Sequence, residues 1–140
     1  EENMFPFYPQ GDLKDTINWQ SDLSVKVALN GTTARNNEYV EENYGYFCSM
    51  ADYCCKHHVR LIFITTPIWH TYREQMSHKQ LLTMYEKIAQ MKEKYPVEYY
   101  DYKNDPRFVS DDFIDVQHLS NVGAKKFTNI LIKDINSHNQ

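Results

Sequence analysis

Asp115 and His118 are the pair of residues whose types and spacing could do chemistry. They lie three apart in the stretch Phe-Ile-Asp-Val-Gln-His-Leu-Ser-Asn-Val-Gly-Ala, residues 113–124. A turn at that spacing can bring the carboxylate against one imidazole nitrogen. The other nitrogen is then left to take a proton from a nucleophile, which is the orienting half of a hydrolytic triad. The same spacing also arises by chance, and a loop aspartate near a surface histidine is the plain alternative. Position favours the pair, because it follows the last predicted strand, on the edge where open α/β sheets place their ligands.

Three other groupings bear on function. Cys54 and His58 share a helix face at i, i+4, a spacing that can grip a soft metal. Zinc takes three or four ligands and no second pair is visible, while histidines at a helix end suit the negative pole of its dipole without any metal. No metal is therefore expected, and no cofactor motif is present. Cys48, Cys54 and Cys55 are an odd, clustered set that reads as small core hydrophobes rather than a disulfide framework. A Cys–His nucleophilic pair with His118 would need a reactive, exposed thiolate, against that reading. In the segment His70-Thr71-Tyr72-Arg73, His70 and Tyr72 are candidate substrate-binding residues, suited to a carbohydrate or an acidic group; a solvated loop is the alternative.

These residues need elements to hold them. The spacing predicts a helix over 37–57, with Val40, Phe47, Met50, Ala51, Cys54 and His58 along its inner side. The apolar run within 59–65 predicts a strand buried on both faces, ended by Pro67. A polar and aromatic loop, 68–76, leads to a second helix over 77–94, opened by a Ser77/Gln80 capping box. Residues 97–102 read as a second strand and 105–118 as a loop. The final helix is capped by Ser120, stapled by Leu119 and Ala124, and lined by Val122, Phe127, Ile130, Leu131 and Ile135. Residues 24–29 alternate weakly and are the remaining strand candidate.

Alternating strands and helices argue for a parallel α/β sheet, although two firm strands are too few for a self-sufficient one. At 140 residues, 41% hydrophobic and 24% charged, the chain has enough apolar material for one core. A net charge of −4 without a basic stripe argues against nucleic acid as a partner. No apolar run is long enough for a membrane span. The chain starts at Glu1 without a leader, so it is expected to be part of a longer protein.

The block F-x-D-x-x-H-L-S-x-x-G-A-x-x-F, from Phe113 to Phe127, resembles the last signature block of the SGNH/GDSL hydrolase superfamily. The nearest variety is that of extracytoplasmic bacterial esterases and acyltransferases acting on cell-surface glycans. The upstream LIFITTPIWHTY, residues 61–72, is similar to that group's penultimate strand and the proline loop after it. The likeness spans residues 37–132. It implies a flavodoxin-like three-layer α/β/α fold and an ester or carbohydrate substrate at the cell surface or in the periplasm. It also implies Asp115 as triad acid and His118 as base. The family's nucleophile serine, in a Gly-Asp-Ser context, is missing; Gly11-Asp12-Leu13 lacks the serine and a strand before it. Asn30 and Asn37 are the only stand-ins for the oxyanion-hole blocks.

The sequence thus reads as a poorly defined segment, 1–36, followed by the C-terminal part of an SGNH-like domain, 37–140. The expected function is an esterase or O-acyltransferase module whose nucleophile serine lies outside this chain. A homodimer or a missing N-terminal half would complete the sheet. A non-catalytic binding or scaffold α/β domain is the alternative.

Overall fold

The computed structural model describes residues 39–137 together with Val25, Lys26 and Ala28. In chain order the elements are α1 (Val40–Lys56), β1 (Leu61–Thr65), α2 (His70–Arg73), α3 (His78–Lys94), β2 (Val97–Asp101), a 3-10 turn (Ser110–Asp112) and α4 (Asn121–Ser137). The fold is α/β. Among the described residues the sheet has two strands, parallel, with Leu61 opposite Val97 and Phe63 opposite Tyr99.

Side-chain alternation along the strands splits the core in two. On one face Leu61, Phe63 and Val97 pack against Ala51, Tyr44 and Cys48 of α1 and Met91 of α3. On the other, Tyr100 and Tyr102 join Phe108, Phe113, Val116 and Phe127 of α4, together with Val25 and Tyr72. Each fully buried aromatic or aliphatic side chain here stabilises the fold by about 1.5–3 kcal/mol. Helices therefore lie on both faces of the strand pair, the arrangement parallel strands require because their connections cross over the sheet.

Several expectations need correction. Of residues 24–29, Val25, Lys26 and Ala28 are helical, not extended; the others lie outside the described residues. β1 begins at Leu61 and is half-buried rather than covered on both faces, with Ile64 41% exposed. Val59 is spent on ending α1, and Arg60 forms a two-pronged ion pair with Glu98 of β2. The inner face of α1 runs through Tyr44, Phe47, Cys48 and Ala51, with the Phe47 ring edge-on to Phe63 at 5.6 Å; Met50 is exposed and His58 lies beyond the helix. The large side chain at 50 outweighed the smaller Cys48 in the apolar pattern, although it is the small residue that allows the close approach. Cys55 is exposed. The loop 68–76 contains the helical turn α2. Val122 and Ala124 are exposed, so neither lines the core side of α4, which Phe127, Ile130 and Leu131 supply.

The end of α1 has a specific device. His58 has φ 57°, the one positive value among described non-glycine residues. Val59 donates to the Cys54 carbonyl at 2.8 Å and His58 to the Cys55 carbonyl at 3.2 Å. That is the paired bonding of a Schellman motif, which satisfies carbonyls the helix would otherwise orphan.

Candidate active site

The loop after β2 is pinned before it reaches the pair. Phe113 and Val116 are each 1% exposed and act as anchors on either side of Asp115. Ile114 donates to the His118 carbonyl at 3.0 Å, and Phe113 bridges Leu119, which closes residues 114–118 into a tight loop. Trp69, in the segment leaving the carboxyl end of β1, donates its backbone N–H to Val116 at 3.1 Å and packs its ring on Phe113 at 5.5 Å. Sheet and loop are thereby joined.

Within that loop Asp115 Oδ1 accepts the backbone N–H groups of Gln117 at 2.7 Å and His118 at 2.8 Å. This is the local turn that aspartate side chains favour. The same carboxylate meets His118 Nδ1, 2.8 Å from Oδ2 and 3.0 Å from Oδ1. A neutral ring that donates its Nδ1–H to this carboxylate keeps the lone pair on Nε2. Among the described residues Nε2 has no hydrogen-bond partner, and no hydroxyl or thiol is bonded to His118. The side chains are 59% and 42% exposed, so the pair meets in water rather than in a dry pocket.

The other sequence candidates divide. His70 is exposed at the start of α2, its Nδ1 3.3 Å from Glu74 and its ring 4.8 Å from that of Trp69. Tyr72 is 4% exposed and packs in the core. One helical turn at 70–73 swings the two apart: the residue two positions on points inward while His70 points out. Asn30 and Asn37 lie outside the described residues. Among the described residues no three His, Cys, Asp or Glu side chains are grouped to hold a metal.

Asp112, Lys126 and Gly123 hold this site and were missed by sequence reasoning, whereas Ser120 is the cap that it named. Asp112 is 4% exposed, accepts the Val109 N–H at 2.9 Å and meets Lys126 Nζ at 2.6 Å. Its carbonyl accepts the Ser120 N–H at 2.8 Å. Ser120 Oγ donates to the Asp111 carbonyl at 3.0 Å and accepts the Gly123 N–H at 3.1 Å, so it caps α4 and clasps the loop together. Gly123 is there because a Cβ would sit 2.0 Å from the Asp112 carbonyl oxygen. An isolated glycine in the first turn of a predicted helix was the available signal.

Two clefts among the described residues lie elsewhere. One, about 560 Å³, opens between α1, α3 and the strands, with Phe47, Phe63, Met84 and Ile88 in its wall. The other, about 640 Å³, lies beside Tyr100, Asn104, Arg107 and Asp134. Neither includes Asp115 or His118 in its lining. No helix among the described residues is long and apolar enough to cross a membrane. The chain matches no family model, no curated protein and no solved structure.

Proposed function

We propose that this chain supplies the base and its orienting acid to an ester hydrolase or O-acyltransferase whose nucleophile serine lies on sequence outside it. The fold proposed with it is the flavodoxin-like three-layer sheet of SGNH-type enzymes, completed by strands from that additional sequence. The observation that carries the reading is the Asp115 carboxylate, held by two backbone N–H groups and gripping His118 Nδ1 at 2.8 Å. In such a site His118 Nε2 takes the serine proton as the acyl-enzyme forms and returns a proton to the leaving group. Asp115 fixes the tautomer and stabilises the imidazolium. The substrates of this reading are acylated glycans or similar esters outside the cytoplasm, with His70 at the rim of the same sheet edge.

A second reading is a non-catalytic binding or scaffold domain. It is favoured by the 59% exposure of His118 and by the position of the pair outside both clefts.

Hydrolysis of 4-nitrophenyl acetate separates the two. The expected outcome is background turnover by this chain and measurable turnover by the longer protein. There, His118→Ala and Asp115→Asn each lower kcat by roughly 10⁴-fold. A fluorophosphonate probe should label a serine of the added sequence and leave this chain unmodified. An inactive, unlabelled longer protein would support the scaffold reading. Activity in this chain that vanishes in His118→Ala would place the nucleophile within these residues.

A further inference from the structure

α1 uses one side of itself to pack and leaves the other patterned. Tyr39, Tyr46 and Tyr53 recur every seven residues, at 51%, 65% and 62% exposure. Asn43, Met50 and His57 recur every seven as well, all exposed, with Met50 at 40%. Interleaved, the six alternate steps of four and three, the seam of a coiled-coil helix. Singly scattered apolar residues on a surface are normal. Six in register, running from the N-cap Tyr39 to the C-cap His57, form one exposed stripe facing away from Tyr44, Cys48 and Ala51, with Asn43 at its border on the cleft toward α3. Tyrosine suits such a seam, because its ring packs while its hydroxyl stays wet.

Charge decides what the stripe fits. Glu41 and Glu42 stand in the first turn of α1 and Lys56 in the last. Glu42 and Lys56 are two heptads apart on the same flank of the seam. An antiparallel pair of these helices, with its twofold axis near Ser49, sets Glu42 against Lys56 of the second copy twice over. It also opposes the two helix dipoles. A parallel pair would bring both acidic ends together. The present partners of these groups, Tyr46 for Glu42 and Asp52 for Lys56, are exposed contacts within the helix that are readily exchanged.

We propose that α1 pairs antiparallel with α1 of a second copy of this chain along the Tyr39–Asn43–Tyr46–Met50–Tyr53–His57 seam. The inference is independent of the role given to Asp115 and His118. A helix of 17 residues is about 25 Å long. A single helix pair of that length buries an area at the low end of specific interfaces, about 1,000 Å². The dimer is therefore weak and reversible, with a micromolar dissociation constant.

Sedimentation velocity on the full chain, from low micromolar to several hundred micromolar at low salt, tests this. The expected result is a monomer–dimer equilibrium that Met50→Asp and Tyr46→Asp each weaken by about ten-fold or more, near 1.4 kcal/mol, with unchanged circular dichroism. Glu42→Lys and Lys56→Glu should each weaken it, and the double variant should restore it. A chain that stays monomeric throughout overturns the proposal. So does a dimer indifferent to both aspartate substitutions, which would place the contact elsewhere, for instance on the β1 edge. Failure of the double variant to recover overturns the antiparallel pairing. Should an aspartate variant lose helicity, Tyr53→Ala is the milder change on the same seam, and it too must weaken the dimer.

Discussion

His58 occupies a backbone position that favours glycine. At φ 57° its Cβ crowds the neighbouring carbonyl, which costs an L-residue about 1–2 kcal/mol, yet the two Schellman bonds that close α1 depend on that conformation. His58→Gly should therefore stabilise the protein by about 1 kcal/mol, raising Tm by roughly 3 °C. Thermal unfolding followed by circular dichroism measures it; a lower Tm would mean that the imidazole contributes more than the strain removes. The sequence placed His58 on the helix face, because i, i+4 spacing carries no information about where the backbone turns left-handed. It fared differently with Asp115 and His118. Their meeting needed only a short loop and the aspartate's habit of bonding backbone two and three residues on, both properties of the local sequence. What the local sequence does not contain is a partner for His118 Nε2, since any such contact comes from residues distant in the chain.

Among the elements, the three long helices and both strands were legible within a few residues, because each is a strongly patterned stretch, and α3 has a signal at each end: Ser77 accepts the Gln80 N–H at 3.4 Å to open it, and Tyr95-Pro96 ends it. The clasp between the 110–120 loop and α4 was not legible, since it is a tertiary contact between backbones. It makes a sharp prediction. Gly123→Ala drives a Cβ to within 2.0 Å of the Asp112 carbonyl oxygen and 2.8 Å of its carbon, both main-chain atoms that cannot rotate away. The helix must back off, losing the Ser120 bonds and the Lys126–Asp112 contact, and a buried carboxylate left without its cation is costly. We expect a loss of about 2–3 kcal/mol in urea unfolding. Val122→Ala, one residue away at a 69% exposed position, should change stability by no more than about 0.5 kcal/mol. Equal effects from the two would show that the clasp is unimportant.

At the scale of the whole molecule, contacts between segments distant in sequence join the chain beyond the β1–β2 pairing. One of them ties the segment after β2 to α4. Arg107 grips Asp105 through Nε at 2.8 Å and lies 3.6 Å from Asp134, which accepts the Tyr102 hydroxyl at 2.9 Å. Hydrogen bonds from Arg107 hold the Asp105 carboxyl below its ordinary value, and burial, reinforced by the Asp134 bond, pushes the Tyr102 hydroxyl up to about 12. The two shifts act at opposite ends of the pH scale. A depressed carboxyl contributes stability that is complete above the unfolded value, near 4, and is lost as pH falls through the lower folded one. A raised tyrosine favours the fold below its unfolded value, near 10, and that contribution drains away as pH climbs towards 12. Stability measured by urea unfolding at fixed pH should thus be flat in between, declining below about pH 4 and above about pH 10. Asp105→Asn should lower the plateau and make the acid limb shallower, while Tyr102→Phe should make the alkaline limb shallower without removing it, because burial also raises Tyr99. If Asp105→Asn leaves the acid limb as steep as before, other carboxylates carry the acid response, and the tie between the loop and α4 is not what fails first.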